Sequence, residues 1–206
     1  MNIELEKDLH RCLDLLSKNW NSQNNKEDEL TNFIYQCDTL GECLFQILKQ
    51  NVDIQYALHR WYNYKTSVAC ESIFCDYGAI HEVDVTNHDV DIYINDIPFD
   101  VKVTVYPSKL INRSFDLRFR NGKNEMLRWL YKNQSQQNRK QLVNRLYVVC
   151  DGKTEHERLA MKSNFSCIKD KISKFMKYSI KYGINAVEIA DGNKVYNLRS
   201  DIIYIS

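Results

Sequence analysis

A chain of 206 residues, 44% of them hydrophobic, suffices for one domain with a sizeable core, and only two prolines and six glycines speak against long disordered linkers. No stretch approaches the roughly 18–20 apolar residues of a membrane span, and Met1-Asn-Ile-Glu-Leu-Glu-Lys-Asp8 lacks the basic-then-apolar order of a secretory signal, so a soluble, cytoplasmic protein is expected. The net charge of +1 hides a division: residues 1–101 hold 7 Lys/Arg against 18 Asp/Glu, while residues 102–182 hold 19 against 6, a block basic enough to track phosphates.

In chain order, apolar periodicity predicts helices over 2–19, 27–36, 38–50 and 52–77, with a polar loop at 21–25, so the amino-terminal third is helical. Alternation predicts strands at 81–86, 89–95 and 98–106, followed by an irregular basic loop to residue 120. A helix over 123–143, with a break near Ser135, leads to a strand at 145–151 closed by Asp151-Gly152. Helices at 154–163 and 165–182 follow, the second capped by Gly183, and strands at 185–190, 193–197 and 201–205 end the chain, the first two joined at Asp191-Gly192. This order predicts an α/β sandwich with a mixed central sheet flanked by helices. A single domain over 1–206 is expected, with a helical part at 1–65, a core at 66–151 and carboxyl-terminal helices and strands at 152–206.

Residues 90–105, Val-Asp-Ile-Tyr-Ile-Asn-Asp-Ile-Pro-Phe-Asp-Val-Lys-Val-Thr-Val, are the most informative stretch. Val90, Ile92 and Ile94 alternate with Asp91 and Tyr93, and Phe99, Val101, Val103 and Val105 alternate with Asp100, Lys102 and Thr104, as in a half-buried hairpin. A two-residue turn at Asn95-Asp96 sets Asp91 opposite Asp100, with Cβ atoms roughly 4.5–5.5 Å apart. A four-residue turn sets Asp91 opposite Lys102 instead, and either register keeps all three on one face. Carboxylates that close repel unless a cation lies between them. Mg²⁺, or Mn²⁺ in its place, is the natural occupant, because Mg²⁺ takes few carboxylates and keeps several waters. Lys102 is then placed to orient or activate a water, or to stabilise charge building on phosphorus.

This arrangement resembles the PD-(D/E)XK nuclease superfamily, the restriction-endonuclease-like fold, whose signature is an Asp on one strand and a (D/E)xK tripeptide on the next. Asp91 matches the first carboxylate and Asp100-Val101-Lys102 the tripeptide, while Val90 stands where the signature has Pro. Many members carry an acidic residue on the helix before the hairpin, a place that Glu71 takes within Thr66-Ser-Val-Ala-Cys-Glu71-Ser-Ile-Phe-Cys-Asp76-Tyr-Gly78. The segment Trp129 to Val149 is similar to the helix and following strand of restriction-type members, which place Gln and Arg near phosphates, here Gln137 and Arg139. The resemblance covers residues 60–151. It implies Mg²⁺-dependent phosphodiester hydrolysis by a DNA endonuclease of restriction or repair type. Asp91, Asp100 and Glu71 with the Val101 carbonyl would hold metal, and Lys102 would act on the water. A homodimer would suit the cutting of both strands.

Plainer roles stand beside these. Asp91, Asp100 and Lys102 also fit a solvated hairpin face with a cross-strand ion pair worth up to about 1 kcal/mol. Asp84 and Asp89 fit turn chemistry. The seven cysteines contain no CxxC pair and read as small buried hydrophobes, and the five histidines lack metal-ligand spacing. Lys169, Lys171, Lys174, Lys177 and Lys181 fit the outer side of a helix, which leaves Arg113, Arg118, Arg120, Lys123, Arg139 and Lys140 as the better phosphate contacts. Tyr106 and Tyr131 read first as packing residues and second as platforms for nucleotide stacking. The rival functions are a nucleic-acid-binding protein of this fold without catalysis, and an interaction protein that docks through its acidic third.

Overall fold

The computed structural model describes residues 3–17, 24–84, 86–87, 89–110, 115–133 and 141–206. The amino-terminal third is helical: α1 (Ile3–Leu15), α2 (Asn25–Leu30), α3 (Leu40–Gln50) and α4 (Ile54–Asp76). The helix expected over 27–36 is split. The Thr31 hydroxyl donates to the Glu27 carbonyl at 2.5 Å and accepts from Arg60, and Asn32–Gln36 tightens into a 3₁₀ turn. A capping box of Thr39 and Glu42 starts α3, and the Asp53 side chain accepts from the Tyr56 N–H at the start of α4. The helix α1 stops at Leu15, short of the expected 19.

The longest of these, α4, buries Leu58, Trp61, Tyr62, Cys70 and Phe74, and Trp61 Nε1 donates to the Cys37 carbonyl at 3.0 Å. Truncating Trp61 or Phe74 to Ala would cost about 3–5 kcal/mol each. This anchoring fixes the flank of α4 that carries Glu71.

Among the described residues the sheet has six strands: β1 (Ile80–His81), β2 (Ile92–Ile94), β3 (Ile97–Val105), β4 (Arg145–Cys150), β5 (Ala186–Asp191) and β6 (Lys194–Ile205), in the order β1-β2-β3-β4-β6-β5. It is mixed, as expected: β1, β2 and β3 are antiparallel, β3, β4 and β6 are parallel, and β5 returns antiparallel on β6. Between β3 and β4 lies α5 (Arg120–Asn133), and between β4 and β5 lie α6 (Glu155–Met161) and α7 (Phe165–Tyr182).

Three expected boundaries move. The strand expected at 81–86 is only Ile80–His81, because the Glu82 carboxylate gathers the Asp84 N–H, the Asn87 amide and the Tyr93 hydroxyl and turns the chain away. The strands expected at 193–197 and 201–205 are one. Its polar centre stays in the sheet because the Ser200 hydroxyl donates to the Arg145 carbonyl at 2.6 Å and Asp201 is paired with cations. The helix expected over 123–143 begins at Arg120, and 141–143 are not helical.

Each face of the sheet has its own core. Phe99, Val101, Leu146, Val148, Cys150, Ile203 and Ile205 face α4, α6 and α7, with α1 and α3 packed behind on α4, whereas Tyr147, Val149, Val187, Leu198 and Ile202 face α5. Strand alternation therefore sends Asp100, Lys102 and Arg145 to the α5 face. There α5 packs on β5 and β6.

Candidate functional site

The hairpin that carries the acidic residues closes through a two-residue turn: Ile94 pairs with Ile97, and Asn95 and Asp96 have φ of 50° and 62°. Positive φ at both positions gives the turn whose twist matches the strands. Regular pairing reaches Ile92↔Phe99 and then bulges. The Phe99 carbonyl accepts from the Asp91 N–H at 2.9 Å although Ile92 is the partner of Phe99. Two residues thus oppose one, and the bulge re-aims the Asp91 side chain. Its carboxylate accepts from the Val101 N–H at 2.6 Å, a group that would otherwise seek a β2 partner. The Val101 carbonyl points to the same side of β3, into the gap beside Asp91.

Asp100 has no such access to water. Its side chain is 2% exposed, against 47% for Lys102. One carboxylate oxygen accepts from Arg145 Nε, and Arg145, itself 3% exposed, also donates to Gln141 Oε1 at 2.9 Å and lies over the rings of Tyr131 and Tyr147. The other oxygen has Lys102 Nζ at 2.5 Å but no donor aligned for a hydrogen bond. Asp91 and Asp100 lie close enough to interact: burial and the neighbouring Asp100 charge raise the Asp91 pKa, against the Val101 N–H and Lys102, which lower it.

Glu71 reaches this group from α4. Burial, then the Asp91 charge, push its pKa up to about 7, partly offset by His81 and Lys102. His81 on β1 lies 3.3 Å from Glu71 through Nε2, and its Nδ1 lies 2.7 Å from the Glu82 carbonyl. Glu71, Asp91, Asp100 and Lys102 therefore belong to one electrostatic group.

The donor set fits a small divalent cation in part. The nearness of the Asp91 and Asp100 charges and the buried Asp100 oxygen without an aligned donor both favour one. Among the described residues, however, no three His, Cys, Asp or Glu side chains gather closely enough to hold a metal ion. The fit is to two carboxylates, with the Val101 carbonyl and waters completing the shell and Glu71 outside it.

The expected phosphate contacts fall elsewhere. Gln137, Arg139, Lys140 and Arg113 lie outside the described residues. Arg118 is held by Asp116 at 2.7 Å, while Arg120 and Lys123 both meet buried Asp201 at 3.0 Å. All three line a cleft of about 810 Å³ that none of Glu71, Asp91, Asp100 and Lys102 lines. Sequence reasoning did not single out Arg145, the first residue of an apolar strand, or His81. Only the parallel register, Asp100↔Arg145, brings Arg145 in.

No helix among the described residues is long and apolar enough to cross a membrane. No protein-family model, curated protein or solved structure matches this chain.

Proposed function

We propose that the protein is a metal-dependent nuclease of the restriction-endonuclease-like fold, hydrolysing phosphodiester bonds in DNA at Asp91, Asp100 and Lys102. The observation that carries this reading is Asp91, re-aimed onto the Val101 N–H, within charge interaction of buried Asp100 and next to the half-exposed Lys102 amine. The order of a helix bearing Glu71, a hairpin bearing Asp and Asp-Val-Lys, then a helix and a parallel strand supports it. Mg²⁺ or Mn²⁺, once bound, supplies a polarised water and a counter-charge for phosphate oxygens. Asp91 and Asp100 would hold the cation, with the Val101 carbonyl as a neutral donor. Lys102, tethered to Asp100, orients the attacking water and stabilises negative charge on the phosphoryl oxygens. Glu71, protonated near neutrality, exchanges a proton with solvent at the rim.

The Arg145–Asp100 pair favours a second reading, a nucleic-acid-binding protein without cleavage, because the guanidinium already compensates Asp100. Incubating wild type and Lys102→Ala with supercoiled plasmid and with structured RNA, in Mg²⁺, Mn²⁺ or chelator, separates the two. Metal-dependent nicking lost in Lys102→Ala is expected. Binding without any metal-dependent product would replace the nuclease with the binder.

A further inference from the structure

The strand β5 pairs with β6 only as far as Ala186↔Arg199, and the Ser200 N–H makes the last bond on that side, to the Asn185 carbonyl. Beyond it the outer edge of β6 is open, while its inner edge stays paired with β4 to Ile205. Backbone groups of Ile202 and Tyr204 face this edge, as those of Ser200 do. Side chains close off Ile202: its N–H donates to Asp201 at 2.7 Å, and its carbonyl accepts from Lys123 Nζ at 2.8 Å.

The cleft of about 810 Å³ runs along this edge, between the start of α5 and α7, at the carboxyl ends of β3, β4 and β6. That end of parallel strands is a common ligand position, and the volume is in the range of small-molecule sites. Its lining holds six Lys and Arg but three Asp. Each Asp is already engaged, Asp116 by Arg118, Asp201 by Arg120 and Lys123, and Asp151 by Arg158 and the Tyr204 hydroxyl. Lys153 and Lys171 are the surplus: among the described residues neither amino group has a hydrogen bond or ion pair. Lys171, Phe175 and Tyr178 fall at i, i+4 and i+7 on α7, so one wall offers a cation and two aromatic rings together. Cations beside aromatic faces suit a phosphate ester that carries a flat base.

We infer that this cleft binds the phosphate and base of a nucleotide, and that the nucleotide belongs to the strand held at Asp91, Asp100 and Lys102. Tyr106, at the mouth of the cleft, follows β3 with the same alternation as Lys102. Four residues at about 3.3 Å each place it about 13 Å further along the strand. That is about four nucleotide steps of a duplex strand. This placement of a strand rests on the proposed nuclease, whereas binding of a nucleotide in the cleft does not.

The test is binding in chelator, where no cleavage intervenes, of a fluorescent 12-nucleotide DNA, with adenosine monophosphate and inorganic phosphate as competitors. Wild type, Lys153→Glu/Lys171→Glu and the charge-matched Lys177→Glu/Lys181→Glu are compared, each checked for an unchanged melting temperature. The expected result is a tenfold or greater loss with Lys153→Glu/Lys171→Glu and less than threefold with Lys177→Glu/Lys181→Glu. Competition by adenosine monophosphate alone, with no DNA effect, would make the ligand a free nucleotide and overturn the strand placement. Equal losses in both charge-reversed pairs, or none in either without nucleotide competition, overturn the site itself. Failure to cut plasmid with the cleft dependence intact would count against the nuclease and not against the cleft.

Discussion

Asp100 and Arg145 are register partners on neighbouring parallel strands, and the guanidinium of one closes on the carboxylate of the other inside the protein. The pair sets a counter-charge beside a carboxylate that water cannot solvate. Arg145 is in turn held by Gln141 and by the rings of Tyr131 and Tyr147, so it acts as a fixed counter-charge.

Removing that counter-charge leaves Asp100 buried and unpaired. Arg145→Met is expected to lower unfolding stability by about 3–5 kcal/mol. Asp100→Asn combined with Arg145→Met should regain much of the loss, because the orphaned charge is gone. Urea denaturation of the two single variants and the double variant gives the coupling, and additive losses would refute a direct ion pair.

Mg²⁺ relieves the repulsion between Asp91 and Asp100 only if both are charged. Adding Mg²⁺ is expected to raise the melting temperature of wild type, by about 2.7 kcal/mol of stability at a hundredfold excess over its dissociation constant. In Asp91→Asn the shift should vanish, while the metal-free variant melts above metal-free wild type. Equal Mg²⁺ shifts in both proteins would remove Asp91 from the cation site.

Glu71 gives stability a pH dependence of unusual sign for a carboxylate. Its folded pKa is raised to about 7, so between the unfolded value and 7 the folded state binds the extra proton. Stability from this group is therefore present at low pH and lost as pH rises through that window, by up to about 3 kcal/mol at pH 8. Glu71→Gln should be more stable than wild type at pH 8 and lose that advantage by pH 4.5. A difference that does not change with pH, in paired denaturant titrations, would contradict the buried, charge-coupled position of Glu71.

The turn before β3 places Asp96 at φ 62°, where glycine is favoured. Asp96→Gly, which creates Asn95-Gly, is expected to stabilise the protein by about 0.5–1 kcal/mol. A lower denaturation midpoint would show that the Asp96 side chain carries a contact that outweighs its backbone strain.

Local pattern made much of this structure legible. The alternation in 90–105 revealed the hairpin and the polar face of β3, and the Asn95-Asp96 pair named its turn. The long apolar periodicity of α4, and the Asp191-Gly192 turn between β5 and β6, read just as directly. What the sequence hid depends on contacts remote along the chain. The two-residue turn alone would set Asp91 opposite Asp100, but the bulge shifts it onto the Val101 N–H, and bulges leave no signature in alternation. Arg145 looked like the polar start of a strand, because its partner stands on another strand. Ser200 and Asp201 looked like a break between strands, since their buried partners, the Arg145 carbonyl and the Arg120 and Lys123 cations, come from β4 and α5. Lys171 was grouped with a solvated helix face although its stripe lines the cleft.

The parallel pairing of β3 with β4 also sets a schedule for assembly. Asp91 and Asp100 meet as soon as the hairpin closes, which is a local and fast event. Arg145 stands 45 residues further along the chain from Asp100, and it arrives only after the α5 crossover has folded back, a slower, non-local step. On a growing chain the two carboxylates therefore come together before Arg145 has been synthesised. In that interval Lys102 is the one cation the hairpin itself brings to Asp100, and the guanidinium joins it when β4 docks.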